Sequence, residues 1–392
     1  MKQIWKQTGR CRAGEWWLVL ALLAVTSSLS HAQFSFFKSK GHAPEELRQA
    51  IPWGPGCMVF TPKGDCIVSC HQFFDPPPPW RVVILKKGSD QWEPYPTEGM
   101  NNGTLAPQLN LDAVLGLAID ADGVLWMLDN GRRNEVPPKV VAWDTVKNTF
   151  KKVVDLTAAV RSTSFLCNIV VDPNEPFLYI SDPANGADAA LIVVDLNTNL
   201  ARRLFEGDYH VRPSQGVDLV VQGQPVEVRR PDGFTVRPLG GLNPIAIDPK
   251  GRWLFFGPMN GRNLYRIETK YLRDIAISPQ EIVERIETYS IKPVTDSIAV
   301  DSRGTVYFAD IGQNTIGYVS EDDKKKEYHL LVNPPDPRLL WPGGLFLDNN
   351  GMLNLFSKQL HLTPLYNGGK SSVVGPFPIF RIRPVSSGMF WK

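Results

Sequence analysis

One pattern returns six times along the chain: an apolar run, a turn opened by Asp or Thr, and a second apolar run. It reads LAIDADGVLWMLD from Leu117, IVVDPNEPFLYISD from Ile169, IAIDPKGRWLFFG from Ile245, IAVDSRGTVYFAD from Ile298 and LFLDNNGMLNLFS from Leu345. A weaker first copy, CMVFTPKGDCIVS, starts at Cys57. The turn-opening residues are Thr61, Asp120, Asp172, Asp248, Asp301 and Asp348, spaced 59, 52, 76, 53 and 47 residues apart. Runs such as Ile-Ala-Ile and Ile-Ala-Val are short and apolar throughout, which suits strands covered on both faces. A unit of about 50 to 60 residues holds four short strands and cannot bury a core alone. Six such units predict an all-β chain closed into a six-bladed β-propeller, with a central channel. The long gap predicts an insertion at about 207–241, with an extra hairpin in VDLVVQGQPVEVRR.

The repeated Asp looks like a row of acids but reads as turn chemistry. Asp120, Asp248, Asp301 and Asp348 each stand three residues before a glycine. Asp at such a turn bonds its own backbone, and Gly accepts positive φ. KVVAWDTVKNTFKKVVDL and LIVVDLNTNLARRLF read as hairpins supplying outer strands. Ser278-Pro279-Gln280-Glu281 is a capping box that predicts a short helix to about Glu287. EDDKKKE from Glu321 reads as a solvated hairpin tip.

The formal net charge of +2 gives no electrostatic reason to expect a nucleic-acid partner. Lys2, Lys6, Arg10 and Arg12 precede an apolar run, Trp16 to Val25, and Ser30-His31-Ala32 follows with small residues. This is the order of a secretory leader, 1–32, with 33–392 left as one propeller domain in a secreted or periplasmic protein. Ten residues rise about 15 Å as a helix, half of a bilayer's hydrocarbon core, so no membrane span is expected. Cys57, Cys66, Cys70 and Cys167 remain after the leader, either paired or as unpaired core thiols. Asn102-Gly103-Thr104 is a glycosylation sequon, relevant to a eukaryotic source.

The inner strand of each propeller blade starts beside the channel, so the residues just before each apolar run are the ones to inspect. Asn168, Asn243 and Asp296 hold this phase in three consecutive copies. Converging amide and carboxylate oxygens suit a hard cation such as Ca2+ or a polar organic ligand. Three side chains fall short of a full cation cage, which water or backbone oxygens would have to complete. No histidine holds the channel-facing phase. His361 lies in a polar loop that could cover one mouth, and Cys167 reads as an inert buried thiol. No nucleophile–base pair is visible.

Several segments resemble the major royal jelly protein and yellow family, in a bacterial-type form. They are LGLAIDADGVLWMLDNGRRNEVPPKVVAWD, SFLCNIVVDPNEPFLYISD, GLNPIAIDPKGRWLFFGPMNGRNLYRIETKYLRD, DSIAVDSRGTVYFADIGQNTIGYV and KQLHLTPLYNGG, spanning roughly Leu115 to Gly369. The resemblance implies a secreted six-bladed propeller without fixing one activity. Relatives include a dopachrome-converting enzyme, amine binders and nutritive proteins. More distant gluconolactonase-like propellers hold calcium or zinc at the channel. Where family members read F-L-N-D and W-P-D-G, this chain has Phe165-Leu166-Cys167-Asn168 and Trp341-Pro342-Gly343-Gly344, so two polar channel positions are altered.

The leading expectation is a small polar or aromatic ligand at the channel mouth, with polar contacts from Asn168, Asn243 and Asp296 and loop contacts from Trp341 and Arg132. An alternative is a metal-dependent, lactonase-like hydrolase whose ion polarises a carbonyl and activates water. Asp296 would then be ligand or base. A third is a protein-binding or storage propeller without catalysis. Oligomeric state is not legible.

Overall fold

In the computed structural model the described residues are 42–385, apart from 48, 135, 230 and 231; the expected leader lies outside them. Six four-stranded antiparallel sheets stand in a ring. Their inner strands are Pro55–Phe60, Val114–Ile119, Ile169–Val171, Leu242–Ile247, Ile298–Val300 and Pro342–Leu347, in blades 1 to 6. Each inner strand lies beside the next, and that of blade 6 lies beside that of blade 1.

Apolar clusters sit between blades rather than within them. Ile67 and Ile84 of blade 1 pack with Met127 and Val141 of blade 2. Tyr307 and Ala309 of blade 5 pack with Leu355 and Phe380 of blade 6. Both faces of a middle strand are therefore covered, which explains runs such as Val124–Asp129 that lack polar alternation and are buried throughout.

Blade 6 differs from the simple repeat. Its outer strand is Glu45–Glu46, from the start of the described chain, paired with Ile379–Ile382 so that Glu45 faces Arg381 and Glu46 faces Phe380. The two ends of the described chain are thus joined in one sheet. Two charged residues carry no strand signal, so this closure is invisible in sequence.

The turn reading of the repeated Asp holds. Asp120 Oδ1 accepts from the backbone N–H of Asp122 and Val124, at 3.1 and 2.8 Å. Asp348 Oδ1 accepts from Asn350 and Met352, at 2.9 and 3.0 Å. Gly123, Gly251, Gly304 and Gly351 take positive φ. The second oxygen reaches the following strand: Trp126 Nε1 donates to Asp120, Tyr179 Oη to Asp172 and Tyr307 Oη to Asp301. The carboxylate ties the turn to the strand it opens.

The capping box at Ser278 is present, but the helix is Pro279–Val283. It stops short of Glu287 because Glu287 opens the outer strand of blade 4. All four described cysteines are free. Phe60 faces Cys66 and Pro55 faces Cys70, leaving Cys57 opposite neither.

In the insertion, Val220–Val221 pairs with Gln224–Pro225 through Gln222 and Gly223, both at positive φ as a tight two-residue hairpin requires. A second hairpin, Val228–Arg229 with Thr235–Val236, follows. Leu219, Val221 and Val226 join a cluster with Met259, Trp341 and Leu360, beside the channel-mouth residues described next.

Candidate channel-mouth site

Asn168, Asn243 and Asp296 meet. Asn168 Nδ2 donates to Asn243 Oδ1 at 2.7 Å, to the Asn243 carbonyl at 2.9 Å and to the Asp296 carbonyl at 3.2 Å. Three acceptors around one amide group fix its orientation, with nitrogen inward. The three residues line one cavity of about 590 Å3.

Asp296 is buried and divides its work unevenly. Its Oδ2 accepts from Trp341 Nε1 at 3.0 Å and from the Lys358 ammonium at 3.2 Å. Its Oδ1 is buried and has no hydrogen-bond partner among the described residues. Trp341 is 1% exposed and held at φ +54°, a left-handed conformation that a bulky residue rarely adopts. The same hairpin end sets Lys358, whose N–H donates to the Trp341 carbonyl at 3.1 Å.

Aromatic rings build the walls. Phe73 stacks on Phe165 at 5.4 Å and meets Tyr366 edge-on at 6.2 Å. Trp341 stacks on Tyr366 at 5.7 Å and on His361 at 6.3 Å. His71 also lines the cavity. Its Nδ1 accepts from the Phe73 N–H at 3.2 Å, which leaves the neutral ring's proton on Nε2. Burial, with Lys358 and Arg133 nearby, pushes His71 down to about 3. Burial raises the thiols of Cys57 and Cys167, which also line the cavity, and the Tyr366 phenol, so all three stay protonated.

Trp341 lies in the cavity wall, but Arg132 does not line it. It is exposed and donates to the Ser162 carbonyl at 3.1 Å, beside a separate small cleft next to Ser164 and Leu166. Its place after the blade 2 second strand does not carry its side chain inward. His361 stacks behind Trp341 instead of lining the cavity.

Lys358, His71, Phe73 and Tyr366 escape a search confined to residues before the inner strands. The expectation that no histidine faces the channel is corrected by His71. The missing signal is antiparallel pairing: the end of each second strand lies opposite the start of the inner strand. Residues just past that end are His71, Pro183, Met259 and Lys358 in blades 1, 3, 4 and 6, and all four line the cavity.

The donor set at the channel does not fit a divalent cation. Calcium takes six to eight oxygens. Here Asn168 turns a nitrogen inward, and the lone carboxylate of the trio already carries an ammonium. Away from the channel, Asp323, Glu327 and His329 at the blade 5 tip hold ligand-type atoms within 4.8 Å of one another.

The profile of the family described as Major royal jelly protein matches residues 113–374. The chain belongs to this family. Its similarity to Major royal jelly protein 7 of Apis mellifera is 24% identity over 221 residues, 52% of this chain and 46% of the relative. The chain thus matches about half the length of that relative. Among solved structures, a luciferin-regenerating enzyme aligns with TM-score 0.55 at 11% identity, over 89% of this chain and 98% of its own. A gluconolactonase from Xanthomonas campestris aligns with TM-score 0.52 at 11% identity, over 88% and 90%. A calcium-binding protein, regucalcin, from Agrobacterium tumefaciens aligns with TM-score 0.51 at 11% identity, over 90% and 98%. At such identities the likeness shows the six-bladed fold alone.

Proposed function

We propose that this family member is an exported propeller that binds a small aromatic molecule bearing polar groups in the channel-mouth cavity. The observation that carries the reading is the cavity's composition. A space of about 590 Å3, walled by Phe73, Phe165, Trp341 and Tyr366, includes polar groups at Asn168, Asn243, Asp296 and Lys358. Small-molecule sites have this size and this mixture of apolar wall and sparse polar contacts. The rings take the flat body of the ligand. Asp296 accepts from a ligand hydroxyl or amine, and the Lys358 and His71 N–H groups donate to ligand oxygens. Export rests on the leader-like first 32 residues.

The test is fluorescence titration with catechols, indoles and phenolic acids, since Trp341 lies in the wall, alongside a lactone-hydrolysis assay. Saturable quenching that disappears in Trp341→Phe and weakens about tenfold or more in Asp296→Asn supports the reading. Lactone turnover dependent on Asp296 would replace it with the hydrolase. Neither binding nor turnover would leave a propeller that works through its outer surface.

A further inference from the structure

We propose that Lys358 is the resident cation of this propeller's channel: its ammonium occupies the place a divalent metal would need, and the cavity is metal-independent by construction. The argument concerns the charge of the cavity and stands whether or not its ligand is aromatic.

Three observations converge. First, Lys358 Nζ lies 3.2 Å from Asp296 Oδ2, with both side chains below a tenth exposed, so the pair is buried together. A buried carboxylate needs a compensating charge, and this one has it from within the chain. Second, the room for that ammonium comes from Gly343. A Cβ at position 343 would stand 2.7 Å from Lys358 Cε, 2.8 Å from its Nζ and 2.7 Å from Asp296 Oδ1. Any side chain there would push the lysine out, so the missing Cβ and the inserted ammonium go together. Third, the adjacent amide is turned the wrong way for a metal. Asn168 Nδ2 points at the Asn243 and Asp296 oxygens that a cation would otherwise collect. An added dication would meet an ammonium and an amide N–H where it requires oxygens, and a like charge at this range is strongly unfavourable when buried.

A ligand in this cavity therefore meets a directional N–H donor on a flexible stem rather than a Lewis acid. Its charge density is lower than a dication's, and it exchanges hydrogen bonds without giving up coordinated water.

The experiment is terbium luminescence together with calcium calorimetry on the full chain. Trp341 serves as sensitiser because its Nε1 is 3.0 Å from Asp296 Oδ2. Asp323→Asn with Glu327→Gln forms the background, so that the blade 5 tip contributes no ion. The background chain is expected to show no saturable terbium or calcium binding. Lys358→Glu in that background, which exchanges the ammonium for a second carboxylate, is expected to gain one ion per chain at least about tenfold more tightly, and to lose it again with Asp296→Asn. If Lys358→Glu does not fold by near-ultraviolet circular dichroism, Lys358→Gln, which removes the charge and offers an amide oxygen, makes the comparison. The proposal is overturned if the background chain binds calcium or terbium saturably and loses it on Asp296→Asn. A folded Lys358 variant that gains no ion also overturns it.

Discussion

Asp296 and Asp301 flank one inner strand, Ile298–Val300, and both are buried, yet they are different kinds of carboxylate. Asp301 accepts from the Arg303 and Thr305 N–H groups at 2.9 and 3.0 Å and from Tyr307 Oη at 2.9 Å. Both its oxygens are committed to the turn and to the strand that follows. Asp296 commits one oxygen, to Trp341 and Lys358 from another blade, and leaves the other without a partner. A carboxylate whose partners are local maintains the fold. One whose partners come from far along the chain, with acceptor capacity to spare, belongs to a site.

The sharpest way to break this contrast is Asp301→Ala. It orphans two backbone donors and a buried phenol, so a loss of about 3 to 4 kcal/mol in urea unfolding is expected. A loss under about 1 kcal/mol would mean the repeated turns do not hold the blades. Asp296→Asn comes next, at about 2 to 3 kcal/mol, because it strands the Lys358 ammonium in a buried setting. Adding Lys358→Met should restore most of that loss, and a double-mutant cycle should be strongly non-additive. Additive losses would refute the pairing.

A smaller effect follows from His71, whose folded value near 3 lies below the ordinary 6.5. Above pH 6.5 both folded and unfolded chains hold it neutral. Below that, the unfolded chain takes a proton that the folded chain refuses. Stability is therefore lost as pH falls from 6.5 towards 3, at no more than about 1.4 kcal/mol per pH unit from this residue. Unfolding series at pH 7, 6 and 5 should show the slope, and His71→Gln should flatten it. The smallest effect belongs to Arg132→Ala. As an exposed loop residue outside the cavity, it should change stability by less than about 0.5 kcal/mol and leave ligand quenching unaltered.

Much of the fold was legible because each blade repeats its own local rules. The apolar runs, the turns at Asp120 and Asp348, and the Ser278 cap all act within a few residues. Asn168, Asn243 and Asp296 were legible by phase, since equivalent positions in a ring must face the same channel. Lys358 and His71 share that mouth, but as residues following a second strand they show it only once antiparallel pairing is laid out. Arg132 also follows a second strand, and its side chain turns to Ser162 instead.

The ring follows from the order of residues: repeat length sets the blade, and strands apolar on both faces demand a neighbour on each side. The charge of the channel, by contrast, emerges from the folded arrangement. The closing strand Glu45–Glu46 and the Asp296–Lys358 pair each join residues far apart in the chain, and neither leaves a local pattern. Local hydrogen bonding and periodicity are written in order along a chain, whereas which cation reaches a buried carboxylate depends on where distant strands end and on the space left by a missing Cβ at Gly343.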